Sequence, residues 1–321
     1  RVFEDESYAD RSFRTLAAEL DDRDRALAQR LAYGTVQRVR TLDHAIETLG
    51  KRPVRKLDAP VLAALRLGAY QLGYLDGVPR YAAVNESVEL VRRARLESAV
   101  PFTNAVLRRV GEGIEGLLAS LPEGPLKHSY PDWIWDVWRR DLGEEAALAL
   151  MRAQNEAPPV VVRHVRGPAP AGAPTDVPGA YEVTRVDEEA LAAGWIWPQS
   201  RGSQVAALCV RSGAGERVLD LCAAPGGKTM QLAAAGWKVI ALDNAEPRLK
   251  RVRENLKRTR LKATLVVGDA LTFTDEPYDA VLLDAPCSAT GIFRRHPDVL
   301  YRVKPRAIAT LAEQQAAMLA R

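Results

Sequence analysis

The apolar positions of the chain change their period partway along it. Over residues 23–49, charged side chains alternate with Ala26, Leu27, Leu31, Val36, Leu42 and Ile46, and Val61, Leu62, Leu65 and Leu72 make a stripe at helical spacing. Asp58 precedes Ala59 and Pro60, which predicts an N-cap followed by a proline in the first turn. Val84, Val88 and Val91 form a further stripe, and Pro101 opens another with Val106, Leu107 and Val110. Residues 1–125 therefore read as helices throughout. From 126 to 205 the pattern is that of a small α+β module. Trp133, Trp135 and Trp138 crowd one expected helix, 160–165 is a strand-like run, and 167–179, rich in Pro, Ala and Gly, reads as a loop. From 206 to 321 the pattern is strand–helix–strand. Strands are expected at 218–221, 239–243, 264–267 and 280–284, with helices at 229–235 and 247–258. Short apolar strands spaced by helices predict an α/β, doubly wound parallel sheet.

A length of 321 residues suits about two or three such domains. With 45 Lys+Arg against 41 Asp+Glu the net charge is +4, and 47% of residues are hydrophobic. That balance supplies real cores and excludes wholesale disorder. It allows a polyanionic partner without demanding one. Cys209, Cys222 and Cys287 include no C-x-x-C pair, and the four histidines are scattered. Neither a disulfide framework nor a metal site is expected, and the setting expected is a reducing cytoplasm. No apolar run reaches the roughly 18 residues of a membrane span, and no signal-peptide pattern is visible, so no membrane partner is expected. The first residue is Arg1 rather than Met, so a preceding segment is expected. Arg92, Arg93, Arg95, Arg108 and Arg109 interleave with the helical stripes. They read either as a solvated helix face or as a phosphate-contacting patch.

In a doubly wound sheet, ligands bind beyond the carboxyl ends of the strands. The first strand ends in Asp220 and the turn Cys222, Ala223, Ala224, Pro225, Gly226, Gly227, Lys228. The later ones end in Asp243, Asp269 and Asp284. A phosphate loop fails here, because its first glycine would fall at Cys222, and G-x-G-x-x-G is absent. The remaining reading is S-adenosylmethionine. A small-residue turn admits its amino-acid end, Asp243 can accept from its ribose hydroxyls and Asp269 from its adenine amino group. Its sulfonium charge suits an acidic rim. One acid after a strand is ordinarily a helix cap, but four successive strand ends carry one here.

Asp284, Ala285, Pro286 and Cys287 place an acid and a thiol at that same edge. Carbon 5 of a pyrimidine is a poor nucleophile until a thiolate adds at carbon 6. A nearby acid can then hold the N3/N4 edge, and a base must remove the carbon-5 proton. Phe293, Arg294, Arg295, His296 and Pro297 follow, adding cations and a ring where a nucleic-acid strand could run.

Three runs carry a resemblance: 219–229 (Leu-Asp-Leu-Cys-Ala-Ala-Pro-Gly-Gly-Lys-Thr), 284–291 (Asp-Ala-Pro-Cys-Ser-Ala-Thr-Gly) and 294–298 (Arg-Arg-His-Pro-Asp). Together they resemble the RNA cytosine-C5 methyltransferases. Residues 65–72, 82–90 and 102–107 resemble the NusB-type antitermination fold. The pairing is similar to the RsmB (Sun/Fmu) family of bacterial 16S rRNA cytosine-C5 methyltransferases, over nearly the whole chain and least at 155–195. The resemblance implies an all-α NusB-like domain at 1–125, the middle module at 126–205, and a Rossmann-like methyltransferase core at 206–321. It implies that 222–228 line S-adenosylmethionine, with Cys222 as a wall residue and Asp284 between cofactor and base. The first two domains would hold 16S rRNA, naked or partly assembled. Pro198, Gln199, Ser200, Ser203 and Gln204 would lead into the cofactor site.

That family uses two cysteines. Cys287 corresponds to the one that assists elimination, and the attacking thiol sits in a later Thr-Cys-Ser motif that this sequence lacks. The expectation is therefore that the methyltransferase core continues beyond Arg321. The alternative is attack by Cys287 itself, as in DNA cytosine-C5 methyltransferases. Two other functions stay open: the same chemistry on tRNA, and an RNA-binding antitermination or assembly factor with an inert methyltransferase half.

Overall fold

The computed structural model describes residues 8–321 except 212 and 276. The chain forms two compact units, one of residues up to Ala157 together with Ala289–Pro305, the other of Pro158–Ser288 and Arg306–Arg321.

The first unit is helical: α1 (Ala9–Leu16), α2 (Asp22–Gln37), α3 (Val39–Gly50), α4 (Ala59–Tyr74), α5 (Arg80–Arg93), α6 (Val100–Ser120), α7 (Pro125–His128), α8 (Asp132–Leu142), α9 (Glu144–Asn155) and, after the excursion into the second unit, α14 (Val299–Arg302). The run expected at 23–49 is broken at Arg38 (φ −101°, ψ 9°) into α2 and α3. Asp58 has an extended N-cap backbone, yet its side chain makes no capping bond. Pro60 starts that helix by fixing φ. The stripes meet as expected: Leu42, Ile46, Leu65, Val88, Val91, Leu107 and Ile114 form one buried cluster.

A second core holds Tyr130, Ile134 and Met151 with Phe293, Val299 and Leu300, and the three tryptophans of α8 pack on it. The Tyr130 and Trp138 rings lie 5.9 and 6.1 Å from that of Phe293. Residues 126–157 thus stand with the helical unit and 158–205 with the other, because the tryptophan helix buries its apolar face on residues far along the chain.

The second unit contains β1 (Val160–His164), β2 (Gly172–Pro174), β3 (Ala180–Val183), α10 (Glu188–Ala192), β4 (Ile196–Pro198), α11 (Arg201–Leu208), β5 (Arg217–Leu221), α12 (Gly227–Ala234), β6 (Lys238–Asp243), α13 (Glu246–Thr259), β7 (Thr264–Val267), β8 (Ala280–Leu283) and α15 (Pro305–Leu319). An antiparallel sheet runs β2-β3-β1-β4. Its strand β2 lies in the stretch expected as a loop. Pro174 is tolerated because β2 is an edge strand, paired only with β3.

The other sheet is parallel, in the order β7-β6-β5-β8, with Leu221 opposite Leu242 and Leu283. Side chains alternate across it. Val218 and Val239 pack with Leu232 of α12, while Leu219, Leu221 and Leu242 pack on the opposite face near Phe273 and Tyr278. The two sheets are joined at the C-terminus of α13. Arg258 Nη1 donates to Leu191 O at 2.7 Å and Arg166 Nη1 to Thr259 O at 2.7 Å. Gly194 (φ +70°) is needed at that seam, since a Cβ there would lie 2.1 Å from Arg258 O. Among the described residues no helix is long and apolar enough to cross a membrane.

Candidate functional site

From β5 the chain moves outward to β6 and β7, then returns to β8 on the other side of β5. Such a reversal opens a crevice at the carboxyl ends of β5 and β8. Two loops border it, residues 222–228 after β5 and 284–288 after β8.

The first loop is held by its neighbours rather than by its own side chains. Cys222 and Gly226 adopt positive φ (+60° and +99°). A Cβ at Gly226 would meet Val252 Cγ1 at 3.0 Å, so glycine is needed there for both backbone and space. Ala223 N donates to Leu242 O at 3.0 Å, and Asn255 Nδ2 to Pro225 O at 3.0 Å. Behind the loop lies a buried amide network. Trp197 Nε1 donates to Gln199 Oε1 at 2.7 Å, Gln199 Nε2 to Gln231 Oε1 at 3.3 Å, and Gln231 Nε2 to Gln204 O at 2.9 Å. Segment 198–204 thereby supports the start of α12.

The four strand-end acids occupy different environments. Asp243 is buried, its Oδ2 accepting from Ala224 N at 3.2 Å and its Oδ1 from Ala245 N at 3.1 Å and Arg248 Nη2 at 2.8 Å. Asp284 is exposed and takes Lys228 Nζ at 2.6 Å. Asp269 is exposed, and its Oδ1 accepts from Leu271 N at 2.9 Å, an ordinary turn-forming bond.

Asp220 departs from the expected acidic edge. It is fully buried, accepts from Thr229 Oγ1 at 2.5 Å through Oδ2, and its Oδ1 has no partner. Burial pushes its pKa up to about 6, against the opposing pull of Thr229 and Lys228. It belongs to the floor beneath the loop because alternation along β5 turns it into the packed layer.

Cys222 and Cys287 also differ. Burial, then the nearby Asp243 charge, pushes the Cys222 thiol up, so it stays protonated and weakly nucleophilic near neutral pH. Cys287 is exposed, in a loop whose Pro286 O accepts from Gln315 Nε2 of α15 at 2.6 Å. Cys209 is exposed at the end of α11. Among the described residues no group of three or more His, Cys, Asp or Glu side chains could hold a metal ion.

The motif 293–297, expected to present a ring and cations to a nucleic acid, is largely spent on structure within the helical unit. Phe293 is fully buried, and Arg294 donates to Glu156 O at 3.2 Å and Ala157 O at 2.8 Å. Arg295 remains exposed. Sequence reasoning missed Arg248, Thr229 and Asn255. Arg248 was within reach, being five residues after Asp243 in the first turn of a helix.

Comparison with known proteins matches residues 207–321 to the family model "16S rRNA methyltransferase RsmB/F" and residues 2–112 to the NusB family. The chain is 36% identical to ribosomal RNA small subunit methyltransferase B of Pseudomonas putida, over 94% of this chain and 74% of that protein. It is 34% identical to the protein of that name from Shigella sonnei, over 95% of this chain and 76% of the other. The fold is similar to that of the crystal structure of PH0851 (TM-score 0.74, 21% identity, 97% of this chain and 76% of that one). It also resembles a methyltransferase homolog protein from Pyrococcus horikoshii (TM-score 0.52, 24% identity, 61% of this chain and 70% of that one). With a NusB-type helical unit, a parallel sheet bearing the glycine turn, and this identity over nearly its whole length, the chain belongs to the ribosomal RNA small subunit methyltransferase B family.

Proposed function

We propose that this chain transfers a methyl group from S-adenosylmethionine to carbon 5 of a cytosine in 16S rRNA, through a cysteine adduct at carbon 6. The observation that carries the reading is the pairing of two loops at one switch point, where Lys228 of the glycine turn bonds Asp284 of the Asp-Ala-Pro-Cys segment at 2.6 Å.

The residues fit the cofactor. The turn carries small side chains and a positive-φ glycine, and Asp243 Oδ2 accepts one bond, leaving a lone pair for a hydroxyl. Cys222, Ala223, Ala224, Pro225, Gly226, Gly227 and Lys228 would hold its amino-acid end, Asp243 its ribose and Asp269 its adenine. When bound, the cofactor supplies an electrophilic methyl group. Asp284 accepts from the cytosine 4-amino edge, and Lys228 fixes the orientation of that carboxylate. Addition of a thiolate at carbon 6 moves the ring's electron pair to carbon 5, which becomes nucleophilic. After methylation, loss of the carbon-5 proton to a base and cleavage of the carbon–sulfur bond restore the ring and the thiolate. Cys287 is the thiol of this chain that serves the adduct, because it is exposed in the loop that carries Asp284, whereas Cys222 is half-buried in the turn and Cys209 ends α11. The base must leave its stack to reach the crevice, which favours naked or partly assembled RNA.

The test uses labelled S-adenosylmethionine and naked 16S rRNA, with cofactor binding, methyl transfer and the labelled nucleoside recorded separately. Label in 5-methylcytidine is expected. Label on another atom, or RNA binding with no cofactor binding, overturns the proposal. Transfer to tRNA in place of 16S rRNA overturns the substrate.

A further inference from the structure

The helical unit contains a cavity of about 260 Å³ between α5 and α6, remote in sequence from the glycine turn. Leu72, Val84 and Leu107 form its apolar floor, and Arg80, Tyr81, Arg108 and the carboxylate of Glu112 make up its polar lining. Tyr81 is 72% exposed, an unusual state for an aromatic ring beside an apolar recess. Arg108 has no ion-pair partner among the described residues, whereas Arg92 and Arg93 of the same arginine-rich region are engaged by Glu89 at 2.6 and 3.8 Å. Arg80 pairs with Glu115 at 2.8 Å through an exposed bridge that a stronger anion can displace. It is also the first residue of α5, whose N-cap, Pro79, offers no side-chain cap, while Ala82 N and Ala83 N donate to Pro79 O at 2.9 and 3.1 Å.

We propose that this cavity binds one unstacked nucleotide of a single-stranded RNA segment, the base on Tyr81 over the apolar floor and its phosphate between Arg108 and Arg80. A flat ring face, an apolar recess and cations at the rim are the parts needed to hold an extruded base and its backbone. Phosphate tracking of a duplex would need the cations alone. Of the arginines interleaved with the helical stripes, Arg92 and Arg93 therefore belong to a solvated, paired face, and Arg108 to a nucleic-acid contact. The inference rests on the reading of RNA as the substrate, but concerns a site separate from the methyl-transfer crevice.

The experiment measures binding of the whole chain to a fluorescent single-stranded 12-nucleotide RNA of mixed sequence and to its duplex. Tyr81→Ala is expected to weaken single-strand binding about tenfold, with Tyr81→Phe within about twofold of the parent, since stacking needs only the ring. Arg108→Ala should make the salt dependence shallower by about one phosphate contact. A 5-iodouridine probe should cross-link to Tyr81. Melting temperatures should not move, because both side chains are exposed. Unchanged single-strand affinity in Tyr81→Ala, or an equal loss for duplex, overturns the proposal and leaves the cavity to another class of partner. Methyl transfer is recorded in parallel. Tyr81-dependent RNA binding without transfer sustains this site and sinks the proposed activity, whereas transfer with Tyr81-independent binding does the reverse.

Discussion

Lys228 Nζ donates to Asp284 Oδ2 at 2.6 Å, joining two loops 56 residues apart in the chain. Asp284 is 53% exposed, so the pair adds at most about 1 kcal/mol to stability. Its larger effect is orientation. In Lys228→Met the melting temperature should barely move while kcat for methyl transfer falls about a hundredfold, with little change in KM for RNA. A drop in melting temperature that tracks the lost activity would count against an orienting role.

Asp243 ties the glycine turn to the start of α13, accepting from Ala224 N on one side and from Ala245 N and Arg248 on the other. Asp243→Asn keeps the size but replaces one acceptor oxygen by a donor, leaving a buried N–H opposed at a cost of about 1–3 kcal/mol. Affinity for S-adenosylmethionine should fall at least about tenfold, with RNA affinity unchanged. Isothermal titration of each ligand checks this. Collapse of RNA affinity with cofactor binding intact would reverse the assignment of that strand end.

Asp220 gives a pH signature. Its pKa is pushed up to about 6 in the folded chain, so the native state holds the proton more tightly than the unfolded one. The stability this provides is present at low pH and is lost as pH rises from about 4 to about 6. Asp220→Asn should therefore gain about 2–3 kcal/mol over the parent at pH 8 and nothing at pH 4. Denaturant melts at the two pH values decide it. An equal gain at both would mean that Asp220 carries no such shift.

Cys287 is exposed beside the crevice, and replacing it should leave the fold intact. Cys287→Ser with 16S rRNA and S-adenosylmethionine should accumulate a protein–RNA adduct that survives denaturing electrophoresis. That result assigns Cys287 to the release step. Failure to form any adduct, where the parent traps 5-fluorocytosine RNA, assigns it to the attack.

Phe293 is buried among Tyr130, Trp138 and Leu300. Phe293→Ala should destabilise the helical unit by about 3–5 kcal/mol. Binding of S-adenosylmethionine should survive wherever the second unit stays folded. Stability within 1 kcal/mol of the parent would show that this cluster is not a core.

Local signals in the sequence were enough to define much of this molecule. Helical stripes such as Val84, Val88 and Val91, and strands such as 218–221, follow from periodicity, because a half-buried helix or a buried strand must repeat its apolar residues. The strand-end acids and the glycine turn were readable for the same reason: a doubly wound sheet always presents those ends to one edge. The short strand β2 was not, since Gly172-Ala173-Pro174 carries turn residues and becomes a strand only by pairing with β3. The break at Arg38 was equally silent, as apolar spacing continues through it.

Sequence by itself determined the two fold classes, the main helices and parallel strands, and the residue types at the crevice, all of which depend on near neighbours in the chain. Tertiary structure decided what those residues do. It sent Asp220 inward, engaged Asp243 with Arg248, tied Lys228 to Asp284, and turned Phe293 and Arg294 from an expected RNA contact into core and clasp. Each outcome depends on burial and on partners distant in the chain, and these set whether a charge is solvated, paired or left alone.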